Sequence, residues 1–203
     1  MTPALSRRTA LALSLAALAL PRAGWAQARE IVEMTMGSPD APVTLVEYAM
    51  FTCPHCKAFQ EEVFPQIKEN FIDTGKVRLV YREVYFNRPS LWAAMIARCA
   101  PADRYFGIVD LLFERQAEWS GAFDSEPMMK ELYSIGRQAG LTDEEMQACV
   151  TDRAFAEALV AEFQKNAAAD GIDATPTFLI NGTKVSNMNY ADFEAKLNEA
   201  LGE

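Results

Sequence analysis

Residues 50–59, with the sequence MFTCPHCKAF, contain two of the four cysteines and the only histidine of the 203-residue chain. A Cys-x-x-Cys pair is compatible with a redox centre, a metal site or a structural disulfide. The single histidine excludes mechanisms that need a histidine outside this stretch, among them the Ser-His-Asp triad, His-rich zinc sites and HExxH metalloproteases. Any histidine chemistry must therefore take place beside these two cysteines.

The CPHC motif stands between a strand pattern and a helix pattern. Residues 42–48 predict a buried strand that Glu47 interrupts, and a carboxylate in a core strand needs an explanation. After the motif, an apolar residue at every fourth position over 59–71 predicts an amphipathic helix, which Pro65 is expected to kink. Residues 77–84 then alternate as a strand. Strand, helix and strand together predict a parallel crossover unit.

The rest of the chain divides into a helical block and a short return to strands. The apolar spacing after residue 88 predicts five helices, at 89–100, 102–116, 127–139, 142–149 and 151–169. A hairpin follows around Asn181-Gly182, a dipeptide suited to a type I′ turn, and a helix over 190–201 ends the chain. Residues 34–40 predict a first strand and turn. The sequence thus predicts an α/β fold.

Residues 1–28 have the pattern of an export signal. Arg7 and Arg8 precede an apolar run, and residues 26–28, AQA, form a small-x-small cleavage site. The apolar run is about 12 residues long, whereas a membrane span needs roughly 20, so a cleaved signal is favoured over an anchor. We expect a mature chain that begins near Arg29 and is exported by the Sec or the Tat route.

Removal of that segment makes an acidic chain more acidic. The full chain carries a net charge of −9, and the loss of three arginines and no acidic residue lowers it to −12. Such a charge repels phosphate backbones and anionic lipid, so nucleic-acid binding and membrane attachment by a basic patch are disfavoured. Four cysteines in an exported chain indicate an oxidising compartment. We expect one compact unit that acts as a monomer.

The order of elements and two sequence stretches resemble a known family. The predicted order of elements is strand, helix, strand, helical block, hairpin and helix. This order is similar to that of a thioredoxin-like sheet with helices inserted into it. VEYAMFTCPHCKAF at 46–59 and ATPTFLING at 174–182 resemble the DsbA family of periplasmic thiol:disulfide oxidoreductases, in its alphaproteobacterial branch. The resemblance implies an α/β thioredoxin-like fold with an inserted helical domain, in which 29–88 and 166–203 form the thioredoxin-like domain and 89–165 the helical subdomain.

The residue order gives the two cysteines of the motif different chemistry. Cys53, in the first turn of a helix, faces unpaired backbone N–H groups and the positive end of the helix dipole, which favour its thiolate. Pro54 fixes the turn, and His55 adds a further donor, or a cation when protonated. We therefore expect Cys53 to be the attacking sulfur and Cys56 to be the buried resolving thiol.

The resemblance also assigns roles to three residues outside the motif. Glu47 lies where a thioredoxin-like fold carries a buried acid, and we predict that it accepts a proton from Cys56; a purely structural buried pair is the alternative. Pro176 would forfeit a ladder hydrogen bond at the start of a core strand, so we predict a cis Thr175–Pro176 bond, with a trans turn as the alternative. By the resemblance, this loop lies against the cysteine pair and Thr175 contacts the substrate.

Cys99 and Cys149 stand outside any Cys-x-x-Cys motif and within predicted helices. In an oxidising compartment we predict a structural disulfide between them. Two buried free thiols are the alternative.

These features favour a periplasmic thiol:disulfide interchange protein that oxidises cysteine pairs of exported proteins through a Cys53–Cys56 disulfide. We expect no metal ion and no cofactor beyond that disulfide. The resemblance implies re-oxidation by a DsbB-like membrane protein. A reductase or isomerase of the same fold stays open, because Thr175 stands where the best-known oxidases carry valine. A soft-metal-binding or chaperone-like module is the third hypothesis.

Overall fold

The computed structural model describes residues 31–121 and 125–203, so the predicted export signal at 1–28 lies outside the described residues. Within them, five strands form one sheet: Met34–Met36 (β1), Val43–Ala49 (β2), Val77–Glu83 (β3), Thr177–Ile180 (β4) and Thr183–Ser186 (β5). The order across the sheet is β1, β3, β2, β4, β5. The molecule is an α/β fold with the order of elements expected for a thioredoxin-like sheet.

Strand β2 lies at the centre of the sheet. It pairs in parallel with β3 and antiparallel with β4, while β1 and β5 pair antiparallel at the two edges. Val43, Leu45, Tyr48 and Ala49 of β2 are fully buried. A strand covered on both faces tolerates few polar groups, and Glu47, at 1% exposure, is one of them.

The helix after the CPHC motif is broken rather than kinked. Pro54–Glu62 (α1) and Phe64–Ile67 (α2) are separated at Val63, and a π-helical turn, Lys68–Ile72, follows. Because the break comes before Pro65, this proline lies in the first turn of α2, where its missing N–H costs no intrahelical hydrogen bond. The crossover therefore accommodates the proline without a distorted helix interior.

The helical insertion follows β3. Within the described residues its helices are Arg88–Cys99 (α3), Tyr105–Glu114 (α4), Gln116–Ser120 (α5), Ser125–Gln138 (α6), Asp143–Thr151 (α7) and Arg153–Asp170 (α8). The single helix predicted at 102–116 is instead a 3-10 turn, Ala102–Arg104, followed by α4, with α5 beginning after Arg115. Helix α8 runs through the predicted domain boundary between 165 and 166. No helix in the described part of the chain is long and apolar enough to cross a membrane.

The core of the insertion is continuous with the end of β2 that carries the motif. Phe51 and Tyr81, which come from the sheet side, lie in one buried cluster with Leu112 and Trp119 of the insertion. Cys56 belongs to the same cluster. The insertion therefore covers the buried side of the motif.

The β4–β5 hairpin and the last helix close the fold. Asn181 and Gly182 have φ values of 48° and 82°, the left-handed conformations that the predicted two-residue turn requires. Helix α9, Tyr190–Leu201, packs Phe193 against Phe178 of β4 with ring centroids 4.9 Å apart. This contact sets the helix against the same sheet that carries the motif.

A buried ion pair fastens the insertion to the sheet. Arg98 of α3 donates from Nε to Glu83 Oε1 at 2.5 Å and from Nη2 to Glu83 Oε2 at 2.7 Å. The side chains are only 7% and 4% exposed, and the Tyr105 hydroxyl also donates to Glu83, at 2.6 Å. Each charge is thus compensated at a position where a lone charge would be costly.

Arg98→Leu is expected to lower the free energy of unfolding by about 3–5 kcal/mol, because the Glu83 carboxylate would stay buried without its cation. Urea unfolding at neutral pH measures the loss. The matched control is Arg153→Leu, which removes an exposed pair with Glu157 and is expected to leave stability nearly unchanged. Equal effects of the two substitutions would contradict the role of the buried pair.

Candidate redox site

Cys53 is the residue at which α1 begins. It is the N-cap, with an extended backbone (φ −84°, ψ 121°), and Pro54 is the first helical residue. Proline suits that position because its φ is preset and an N–H there would have no helical partner. The Cys53 N–H donates to the Met50 carbonyl at 2.9 Å, which closes the turn after β2. Strand, turn and proline together place the sulfur at the helix N-terminus.

The loop that contains Pro176 lies against Cys53. The Thr175–Pro176 bond is cis, as the sequence predicts. The Cys53 sulfur lies 3.3 Å from the Thr175 carbonyl oxygen, to which its thiol donates when it is protonated. On the other side of the proline, the Thr177 hydroxyl donates to the Ala174 carbonyl at 2.8 Å. The fold thus brings Thr175 and Pro176 beside a cysteine 122 residues away.

The surroundings of Cys53 favour its thiolate. The pKa of its thiol falls from 9.0 to about 5, chiefly because the Cys56 thiol donates a hydrogen bond to it. Hydrogen bonds from the Thr175 side chain and from the backbone N–H groups of Cys56 and His55 lower the pKa further, whereas burial opposes them. At neutral pH this sulfur is therefore ionised.

Cys56 has the opposite character. Its side chain is fully buried, and burial raises the pKa of its thiol far above the ordinary value. The hydrogen bond that it gives to Cys53 raises the pKa further, while the Met50 N–H donates to its sulfur at 3.5 Å. Both cysteines are free, so the structure is that of the dithiol form. One sulfur carries charge and the other holds its proton.

Pro54 and His55 lie on the exposed side of the first turn of α1. His55 donates its backbone N–H to Cys53. Among the described residues, no three His, Cys, Asp or Glu side chains are grouped as a metal ion would require.

Glu47 is a buried acid whose carboxyl group is not hydrogen-bonded to any residue that the structure describes. Burial raises the pKa of its carboxyl group to about 8, and its charge is one of those that raise the pKa of Cys56. Neither carboxyl oxygen has a hydrogen-bond partner among the described residues, and the same holds for the hydroxyl of Tyr81, its register neighbour on β3. At pH 7 the carboxyl group is mostly protonated, so it can give up or take back a proton near neutral pH.

Two polar side chains that the sequence does not predict hold the loop of Cys53. Gln116 Nε2 donates to the carbonyls of Phe51 at 2.7 Å and of Cys53 at 3.0 Å. The Ser90 hydroxyl bonds to the Thr52 hydroxyl at 2.9 Å and accepts from the Thr52 N–H at 3.3 Å. No sequence signal marks either residue, because each lies in an amphipathic helix and its partner is at least 38 residues away.

The other two cysteines are joined to each other. Cys99 at the end of α3 and Cys149 in α7 form a disulfide with Cα atoms 6.1 Å apart. The bond lies wholly within the helical insertion and links two of its helices. It is separate from the Cys53–Cys56 pair.

Comparisons with known proteins agree with this architecture. The family model described as Thioredoxin matches residues 29–199. A putative protein-disulfide oxidoreductase of Rickettsia bellii (strain RML369-C) is 31% identical over 172 residues, which are 84% of this chain and 65% of the relative. The chain therefore spans slightly less than two thirds of that relative. Disulfide bond formation protein D of Bacillus subtilis (strain 168) is 28% identical over 163 residues, 78% of this chain and 71% of the relative.

A solved structure is similar over nearly the same length. The crystal structure of alpha-DsbA1 from Wolbachia pipientis has a TM-score of 0.77 and 27% identity, and the match covers 84% of this chain and 91% of that chain. A match of that extent includes both the sheet and the helical insertion.

Glu47→Gln is expected to raise the free energy of unfolding, by an amount that grows from about pH 5 to about pH 8 and reaches at least about 1 kcal/mol. The unfolded carboxyl group ionises near pH 4.5, whereas the folded one keeps its proton up to about pH 8. The wild-type fold therefore loses stability as pH rises through this window, and the loss ends above it. Glutamine has the same shape and no proton to lose.

Urea unfolding of both proteins across this pH range measures the difference. Glu199→Gln, at an exposed acid of α9, is the matched control and is expected to show no such growth with pH. A stability difference for Glu47→Gln that is independent of pH would contradict the raised pKa of the buried carboxyl group.

Proposed function

The chain belongs to the Thioredoxin family, and from that premise we propose that it is a DsbA-type thiol:disulfide oxidoreductase that oxidises cysteine pairs of exported proteins. The observation that carries the proposal is the contrast between the two thiols: the pKa of Cys53 is lowered to about 5, while burial raises that of Cys56. A stabilised thiolate makes the dithiol form stable and the disulfide form oxidising.

The reaction begins with a disulfide between Cys53 and Cys56. A substrate thiolate attacks the Sγ of Cys53, the bond between the two protein sulfurs breaks, and Cys56 leaves with the electron pair. A second substrate thiolate then attacks the substrate sulfur of the mixed disulfide and expels Cys53 as a thiolate. Two electrons pass from the substrate to the protein, and the low pKa of Cys53 makes it a good leaving group.

Glu47 donates a proton to Cys56 and accepts one back in the reverse step. The Cys56 sulfur would leave as an anion in a buried position, so its charge must be neutralised as the bond breaks. Glu47, with a pKa of about 8, holds a proton at neutral pH and can supply it. When the dithiol is re-oxidised, Cys56 attacks instead, and its proton passes to the Glu47 carboxylate, the form that has already lost its own proton to solvent.

Thr175 and Pro176 bind the substrate. The Thr175 carbonyl lies 3.3 Å from the Cys53 sulfur in the dithiol form. A backbone held beside the sulfur can form main-chain hydrogen bonds with an extended peptide whose cysteine reacts with Cys53. This arrangement presents the substrate sulfur to Cys53 and leaves Cys56 covered.

The protein would act after export. Residues 1–28 would direct the chain to the periplasm, where it would work as a monomer and carry no cofactor beyond its own disulfide. Each turnover leaves the protein reduced, so a membrane protein resembling DsbB would re-oxidise it. The alternative is a reductase or isomerase of the same fold, which differs in the direction of electron flow.

Cys53→Ser is expected to abolish oxidation of a dithiol peptide, because no sulfur remains at the position that the substrate attacks. Cys56→Ser is expected to accumulate mixed disulfides, because the resolving thiol is gone. Peptide oxidation with glutathione disulfide as the oxidant and intact-protein mass measure the two effects. The double variant Cys99→Ala, Cys149→Ala is the control and is expected to oxidise the peptide. Turnover by Cys53→Ser would refute the assignment of the attacked sulfur.

The equilibrium with glutathione decides the direction of electron flow. We expect a potential well above the value of about −270 mV for thioredoxin, because the thiolate of Cys53 stabilises the dithiol form. His55→Ala is expected to shift this equilibrium toward the disulfide by about threefold or more, because a cation near the thiolate is lost. A wild-type potential close to that of thioredoxin would favour the reductase or isomerase. An unchanged equilibrium in the variant would show that the His55 ring does not help to set the redox potential.

A further inference from the structure

Gln116 reaches from the helical insertion into the loop of the redox cysteines. It is the first residue of α5, and its side chain is buried, with 5% of the residue exposed. Its amide nitrogen donates to the Phe51 carbonyl at 2.7 Å and to the Cys53 carbonyl at 3.0 Å. Both hydrogens of the amide are therefore used on the segment that connects β2 to α1.

The two carbonyls define the backbone around Cys53. The Cys53 carbonyl belongs to the peptide unit that starts α1 and also accepts the Lys57 N–H at 3.2 Å. The Phe51 carbonyl lies two residues earlier. When both are held by one rigid amide, the backbone before and after Cys53 is fixed. The direction in which the Cys53 side chain leaves the backbone is then fixed as well.

The direction of the Cys53 side chain determines which groups form hydrogen bonds with its sulfur. The backbone N–H groups of His55 and Cys56 donate to Cys53, and the strength of such bonds falls steeply with misalignment. The amide of Gln116 also presents the positive ends of two N–H bonds to the same segment. Both effects favour negative charge at Cys53.

We propose that Gln116 is a positioning residue of the redox reaction, which holds the carbonyls of Phe51 and Cys53 so that the Cys53 sulfur faces the N–H groups at the start of α1. Gln116 exchanges no proton or electron and acts only through the loop. The proposal rests on the proposed dithiol–disulfide function. It gives the helical insertion a direct part in tuning the thiolate, beyond covering Cys56.

The test compares Gln116→Met, which keeps the length of the side chain and removes both donors, with Gln60→Met as the matched control. Gln60 is also buried, at 9% exposure, but its amide donates to Asp110 at 2.9 Å and not to the redox loop. Both variants of the mature chain are reduced, and thiolate absorbance at 240 nm is titrated against pH. The glutathione equilibrium is then measured for each.

Gln116→Met is expected to raise the midpoint of the Cys53 titration by about half a pH unit or more, which is about a threefold loss of thiolate relative to thiol. The glutathione equilibrium is expected to move toward the disulfide form by a similar factor. Gln60→Met is expected to change neither. An unchanged midpoint in folded Gln116→Met, or an equal shift in Gln60→Met, would overturn the proposal.

Gln116→Leu provides a second variant if Gln116→Met does not fold. It removes both N–H donors and adds no charge, so a shifted midpoint cannot come from a new charge beside Cys53. A raised midpoint supports the proposal, and a wild-type midpoint overturns it. Because the titration needs no substrate, a shifted midpoint in a protein whose wild type oxidises no dithiol would reject the proposed function and leave the positioning role standing.

Discussion

The structure depends on holding a negative charge on Cys53 where water has little access. The residue is only 7% exposed, so hydrogen bonds must replace hydration. They come from the Cys56 thiol, from the first N–H groups of α1 and from the Thr175 loop. These hydrogen bonds can form only if β2 ends, a turn closes and α1 begins within a few residues. The sheet must also bring β4 beside β2, because Thr175 lies two residues before the start of that strand.

Two buried acidic residues of the sheet differ in whether their carboxyl groups are hydrogen-bonded. Glu83 receives hydrogen bonds from Arg98 and Tyr105, so its charge is compensated and it joins the insertion to β3. Glu47, on β2 of the same sheet, has no hydrogen-bond partner among the described residues, and its pKa rises to about 8. An uncompensated acid lowers stability above its unfolded pKa. Such a cost is typical of a functional position rather than of a structural one.

The insertion and the sheet form one unit around the motif. Leu112 and Trp119 share a buried cluster with Phe51 and Cys56, and polar contacts from the insertion reach the loop at the same place. The Cys99–Cys149 bond lies inside the insertion, and Cys99 packs against the same buried cluster. The environment of Cys56 is therefore set jointly by two parts of the chain that are far apart in sequence.

The sequence by itself determined the α/β order of elements, the start of α1 at the CPHC motif and the turn at Asn181-Gly182. These follow from apolar periods, from proline at a helix start and from residues that tolerate positive φ, all of which act within a few neighbouring positions. Only the tertiary structure decided three other features: the break at Val63, the lack of a hydrogen-bond partner for the Glu47 carboxyl group among the described residues, and the hydrogen bonds from Gln116 to the redox loop. Each feature depends on contacts between groups that are tens of residues apart in the sequence. Neither local propensity nor the hydrophobic period predicts such contacts.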